Sequence, residues 1–204
     1  MLLLLALLPF SCSEKQEPYP DLITEFVDMR TDADGMFVDM TTDDGTCYSI
    51  INTNIKPHRP DTIYRAVVGF VPNGNSANLQ AQIYTLAGAL LLADSTATLR
   101  HDPTGIESMW QEGCHINMQL TARTQGGLHL WGYAVDSVLQ AGQGGRTHAH
   151  HHLSIHHNQG RDPMSYSQTY YCSIHASSIP YYNIGDTISI SVHAFNGVRE
   201  WTFF

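Results

Sequence analysis

Basic residues are what this 204-residue chain has least of. Ten Lys and Arg stand against nineteen Asp and Glu, a formal net charge of −9, and the only lysines are Lys15 and Lys56. A nucleic-acid surface needs a basic face that neutralises phosphates, so no nucleic-acid partner is expected. The same balance disfavours electrostatic adsorption to anionic lipid. Cysteine is also scarce: Cys12, Cys47, Cys114 and Cys172 are the four, with no CxxC pair and no zinc-ligand spacing. No apolar run approaches the roughly 20 residues that cross a bilayer as a helix. There is no convincing long amphipathic helix, and HExxH, GxSxG, the P-loop and the dinucleotide fingerprint are all missing.

What is present begins at the first residue. The stretch MLLLLALLPFSC places the apolar run Leu2–Leu8 and small Ser11 directly before Cys12. That order resembles the lipobox of bacterial lipoproteins, which implies that Cys12 is the site of lipid attachment and becomes the mature N-terminus. Each buried acyl methylene contributes about 0.8 kcal/mol, so several chains on one residue make a durable anchor. The expected organisation is a leader over 1–12, then a charged, Pro-punctuated tether over 13–20. Residues 1–11 lack the Lys or Arg of an n-region, which a start codon further upstream would explain, and Phe10 stands where a small residue is usual. An ordinary cysteine after a truncated signal is the competing reading. Cys47, Cys114 and Cys172 are odd in number and far apart, and buried free thiols are expected in preference to one disulfide.

Period-2 alternation dominates the rest. Ile116–Arg123 and Ile188–Ala194 each put apolar residues on one face and polar ones on the other, the pattern of a strand with one face to a core and one to water. Similar segments lie near 22–30, 35–41, 46–51, 62–71, 79–86, 128–136, 148–156, 168–176 and 198–204. Turn signals such as Asp43-Asp44-Gly45, Asn73-Gly74 and Asn196-Gly197 separate them. The class is all-β and antiparallel. Asp102-Pro103-Thr104-Gly105 interrupts the pattern, so a small OB-like barrel over 21–101 and a β-sandwich over 102–204 are expected, with one large sandwich as the alternative.

Tyr19-Pro20-Asp21-Leu22, Asp61-Thr62-Ile63-Tyr64-Arg65-Ala66, Ile116-Asn117-Met118, Asn158–Pro163 and Gly185-Asp186-Thr187-Ile188 follow one another in the order seen in a known family. With the lipobox and acidic tether, the chain resembles the NigD-like lipoproteins of Bacteroides-type bacteria. The resemblance implies an OB-like domain before a β-sandwich, and a place at the outer membrane or cell surface. It carries no catalytic residues with it.

The local departure is the cluster His148-Ala149-His150-His151-His152-Leu153-Ser154-Ile155-His156-His157. As a strand it projects His148, His150, His152 and His156 to one face and Ala149, Leu153 and Ile155 to the other. Alternate residues on a face lie about 7 Å apart, so His148, His150 and His152 are the candidate metal ligands, joined by His175 and His193 if their strands are neighbours. No carboxylate sits inside the cluster to orient a ring. Loose binding of Ni or Cu by a polar face is therefore expected, and no dedicated cofactor. Asp32, Asp34 and Gly35 mimic part of a calcium loop, but Arg30 and Thr41 occupy its first and twelfth ligand positions, which leaves a turn. Glu107, Glu112 and Asp136 are scattered carboxylates. Tyr48, Tyr64, Tyr84, Trp110, Trp131 and Tyr133 would suit a sugar platform, although strand aromatics usually pack in cores. The sequence points to a lipid-anchored envelope protein, without enzymatic activity, that binds an unidentified protein or glycan. A metal-dependent enzyme or metal-binding protein using the histidine face is one alternative, and a glycan-binding accessory module another.

Overall fold

The computed structural model describes residues 21–52, 58–79, 85–86, 88–89, 100–143 and 146–204. Cys12, the tether, Tyr84 and most of the apolar run 87–93 lie outside them. The fold is all-β. A first sheet contains β1 (Ile23–Thr31), β2 (Phe37–Thr42), β3 (Cys47–Ile50), β4 (Ile63–Asn73), β5 (Ser76–Leu79) and β6 (Thr85–Leu86). In the order β1-β2-β3-β5-β4 it closes on itself, because β4 also pairs with β1 from Ile63↔Arg30 to Phe70↔Ile23. Val27, Met29, Phe37, Met40, Ala66, Val68 and Phe70 fill the barrel. Five strands leave an interior that side chains of this size fill.

The second module stacks two sheets. One orders β7 (Gly88–Ala89), β12 (Tyr166–His175), β9 (His115–Thr124) and β8 (Gly105–Glu112); the other orders β10 (Leu130–Gln143), β11 (Arg146–Asn158), β13 (Thr187–Ala194) and β14 (Gly197–Phe203). Ile116, Met118, Leu120, Cys172 and Ile174 from the first meet Tyr133, Leu153, Ile155, Ile188, Ile190 and Val192 from the second. Each such side chain contributes roughly 1.5–3 kcal/mol through burial.

Three features depart from the sequence reading. Most strand pairs are antiparallel as expected, but β3–β5, β11–β13 and β7–β12 pair in parallel. The break near 100–108 is shorter than it reads: Thr104 bridges to Ala194, and β8 starts at Gly105. Alternation also predicts that Asn117 faces water, yet it is fully buried, because the barrel packs over the outer face of β9 and β12. For the same reason Arg65 to Phe70 on β4 are buried without a break. Ala66, Val68 and Phe70 enter the barrel core, while Arg65 and Val67 face the sandwich.

Candidate functional site

The seam between the two modules gathers a connected set of engaged polar side chains. Strand pairing builds its floor from rungs Tyr171↔Gln119, Ser173↔Asn117 and His175↔His115 on β12 and β9. The barrel supplies Asp28 from β1, Arg65 from β4, and Asp43 from the turn between β2 and β3. The Arg65 side chain is 5% exposed and that of Asp43 4%. One η nitrogen of Arg65 donates to Asp43 Oδ2 at 2.6 Å and to Asn117 Oδ1 at 2.9 Å, and the other donates to Asp28 Oδ1 at 3.2 Å. Asn117 Nδ2 donates to Asp43 Oδ2 at 2.7 Å, and Ser173 Oγ donates to Asn117 Oδ1 at 2.9 Å. His115 Nδ1 lies 3.2 Å from Asp43 Oδ1. Burial opposes the charge on Asp43, but hydrogen bonds from His115, Arg65 and Asn117 outweigh it and hold the carboxyl well below the usual range. Asn117 and His115 are thus the sandwich residues that meet the barrel's buried ion pair, and Ser173 supports Asn117.

Gly113 brings the modules this close. Its φ of +54° suits the tight turn between β8 and β9, and a Cβ there would lie 2.3 Å from the Asp43 carbonyl oxygen. The turn therefore rests directly on the β2–β3 turn of the barrel.

A cleft opens on each side of the Asn117–Ser173 rung. One, of about 340 Å³, lies beside Arg65 and is lined by Asp28, Ile63, His115 and His175. The His115 and His175 rings meet edge to face at 4.7 Å, and Ser177 N–H donates to His175 Nδ1. The other, of about 270 Å³, is walled by Phe26, Val67, Trp110 and Tyr171, with Glu25, Asp43 and Glu112 at its acidic side. Phe26 meets Trp110 at 5.4 Å and Tyr171 at 6.0 Å, both edge to face, and the Arg65 guanidinium lies 5.4 Å over the Phe26 ring. Trp110 and Glu112 were candidates from the sequence. Phe26, Arg65, Asp43, Asn117 and Tyr171 were not, since each sits in an ordinary turn or strand pattern and only the packing of two modules joins them.

The histidine strand divides among three environments. His148 is exposed; His150 and His152 are half-buried on the outer face with ring centroids 4.0 Å apart, and His150 Nε2 bonds Ser189 Oγ at 2.8 Å. His193 is on the neighbouring β13, where its ring stacks on His101 at 4.2 Å; His101 in turn packs on His156 at 4.3 Å. His175 belongs to the opposite sheet and faces the barrel, apart from the cluster. Leu153 and Ile155 take the core side, as the alternation predicts. Among the described residues no three His, Cys, Asp or Glu side chains converge as metal ligands.

Two histidines enter the interior instead. His151 Nε2 meets Asp186 Oδ2 at 3.1 Å, and Asp186 also accepts from the Ala149 and Asn183 N–H groups. His157 stacks on Trp131 at 4.0 Å and joins a chain: Asp162 Oδ2 to His129 Nε2 at 3.0 Å, His129 Nδ1 to His157 Nε2 at 2.8 Å, and His157 Nδ1 to the Asp102 carbonyl at 3.0 Å. Both ends of that chain accept. A hydrogen bond from Thr124 is the main cause that holds the Asp162 carboxyl down at about 2, against its desolvation, with help from His129.

Of the other candidates, Tyr133 is fully buried in the sandwich core, Trp131 packs against that core, and Tyr48 and Tyr64 pack on the barrel core. Asp136 accepts from Ser154 Oγ at 2.9 Å. Asp32 caps its own turn, accepting from the Asp34 and Met36 N–H groups. The three described cysteines are free thiols; Cys47 and Cys114 are exposed, and burial pushes Cys172 up to about 12.

No family model matches the chain, and no curated protein matches it. Solved structures do. A NigD-like immunity protein from Bacteroides caccae shares 21% identity and a TM-score of 0.62, over 90% of this chain and 93% of that one. A toxin-related protein from Parabacteroides distasonis shares 16% identity and a TM-score of 0.69, over 90% and 92%. A DUF1344 protein of unknown function from Bacteroides vulgatus shares 12% identity and a TM-score of 0.64, over 89% and 90%. At these identities the likeness is one of fold, and it spans both modules.

Proposed function

We propose that this chain is a NigD-like lipoprotein of the bacterial cell envelope, held at the outer membrane or cell surface by lipid on Cys12, and that it works by binding rather than catalysis. The observation that carries the binding role is the seam. Its buried Arg65, Asp43, Asn117 and Ser173 form one hydrogen-bonded chain that runs from the barrel into the sandwich. The open space is left to either side of them, as shaped clefts. Side chains committed in this way serve preorganised recognition, because little ordering remains to be done when a partner arrives. The Bacteroides caccae neighbour is an immunity protein by name, which supports capture of a harmful partner as the direction of that binding.

Detergent phase partitioning of cells expressing the full-length chain tests the anchor. The protein is expected in the detergent-rich phase, with the mass of an acylated N-terminal cysteine, and Cys12→Ser is expected to move it to the aqueous phase. Equal partitioning of the two would overturn the anchor.

A further inference from the structure

We propose that the cleft walled by Phe26, Trp110 and Tyr171 and edged by Glu25 and Glu112 receives a basic side chain, arginine or lysine, inserted by a partner polypeptide. This rests on the binding role above and names the partner's chemistry. Three observations converge on it.

The first is charge. Glu25, Asp43 and Glu112 all line the cleft, with Asp44 beside them in the β2–β3 turn. The cation bonded to Asp43, Arg65, is also taken up by Asp28 and Asn117. Asp44 is engaged by Thr42 and by the Thr46 N–H. Among the described residues Glu25 and Glu112 have no cationic partner. Partial burial is the main cause that raises the pKa of Glu25, and the crowding of Asp44, Glu112 and Asp43 adds to it. A positive ligand would relieve that crowding; a neutral or anionic one would not.

The second is the wall. Trp110 and Tyr171 are half-buried, and both stand nearly perpendicular to the Phe26 ring. Aromatic faces next to carboxylates are suited to a guanidinium or ammonium, which stacks on the ring while its N–H groups reach the acids. This chain already uses the arrangement once, where Arg65 lies over Phe26.

The third is size. At about 270 Å³ the cleft falls just below the roughly 300–1,000 Å³ of sites that enclose a whole small-molecule ligand. It suits one long side chain reaching in from a larger partner, whose backbone would lie across the rim near Thr24.

Full-length protein in detergent micelles is titrated with the blocked peptide Gly-Gly-Arg-Gly-Gly and with its citrulline counterpart, which keeps the shape and loses the charge. Tryptophan fluorescence is the readout, with Trp110→Phe identifying the responding ring. The arginine peptide is expected to give a saturable change that Trp110→Phe abolishes, and the citrulline peptide to bind at least tenfold more weakly. Glu25→Gln with Glu112→Gln should weaken the arginine peptide at least tenfold while leaving the melting temperature in place. No response up to 10 mM peptide, equal binding of the two peptides, an unaffected Glu25→Gln/Glu112→Gln variant, or a response to neutral oligosaccharide alone would each overturn the assignment. Detergent partitioning of the same preparation reports separately on the envelope reading, so failure of the cleft and failure of the anchor are told apart.

Discussion

Arg65→Met removes one partner of a buried ion pair and leaves Asp43 in place, 4% exposed, with only His115 and Asn117 to stabilise its charge. Stripping one partner from such a pair costs roughly 3–5 kcal/mol, since the remaining charge stays desolvated. For a chain of this size 1 kcal/mol moves the midpoint by about 2–4 °C, so the melting temperature should fall by an amount on the order of 6–20 °C. Urea denaturation followed by circular dichroism, with calorimetry on the full-length protein, supplies both numbers. Two further variants isolate the cause. Arg65→Lys should recover little, because a single ammonium cannot replace a fork that serves Asp43, Asn117 and Asp28 together. Arg65→Met combined with Asp43→Leu removes both charges, so its cost should fall short of the summed single costs by more than about 1 kcal/mol. A single-variant cost under about 1 kcal/mol, or strict additivity in the double variant, would refute the seam as a buried, coupled network.

Gly113→Ala should destabilise by several kcal/mol, because the new Cβ would meet the Asp43 carbonyl at 2.3 Å and occupy a positive φ; a folded chain with an unchanged urea midpoint would contradict this close approach. Burial is the leading cause that holds His156, His157 and His175 below the ordinary imidazole range, so the unfolded chain takes up protons before the folded one. Stability should therefore be intact above about pH 6.5 and fall as pH drops through that value, by up to about 1.4 kcal/mol per pH unit for each fully excluded proton, less for the more exposed rings. Urea midpoints between pH 7.5 and 4.5 measure it, and His156→Gln should flatten the slope. The surface pair His150 and His152 should bind Ni or Cu only loosely, so chelator should leave the melting temperature unchanged; a rise of many degrees at stoichiometric metal, lost in His150→Ala, would establish a dedicated ion instead.

Much of the architecture is legible in the chain because strand alternation and Asx-Gly turns are local. Ile116, Met118 and Leu120 occupy the core positions their spacing requires, and the Asn196-Gly197 pair turns β13 into β14. Parallel neighbours such as β11 and β13 leave no such mark, since their pairing is set by strand order in the sheet and not by any adjacent residue. The seam is hidden for a related reason. Asn117 and Ser173 read as polar residues on the wet face of a strand, and nothing near them announces that a barrel will cover that face. A tighter reading was available on β4 alone. Its run Ala66-Val67-Val68-Gly69-Phe70-Val71 is apolar at both parities, which is the pattern of a strand with neighbours on both faces, and it shows that the barrel has an outer contact.

The histidines make the opposite case, where the local signal is loud and the structure divides it. Parity correctly separates His150 and His152 from Leu153 and Ile155, but it treats every imidazole on the inner face as an exception to a hydrophobic core. His151 and His157 are tolerated there because each arrives with its own polar supply: Asp186 for one, and His129, Asp162 and the Asp102 carbonyl for the other. Asp186, His129 and Asp102 lie in turns and loop segments 28 to 55 residues away in the chain, and Asp162 sits in the turn that follows the strand. A buried imidazole costs free energy unless it is hydrogen-bonded, and His151 has its one bond through Nε2, its buried Nδ1 finding no partner among the described residues, so Asp162 and Asp186 are as necessary to this strand as the apolar side chains beside it. The cluster that resembles a metal site in one dimension is therefore, at its inward positions, part of what ties the loops to the sandwich.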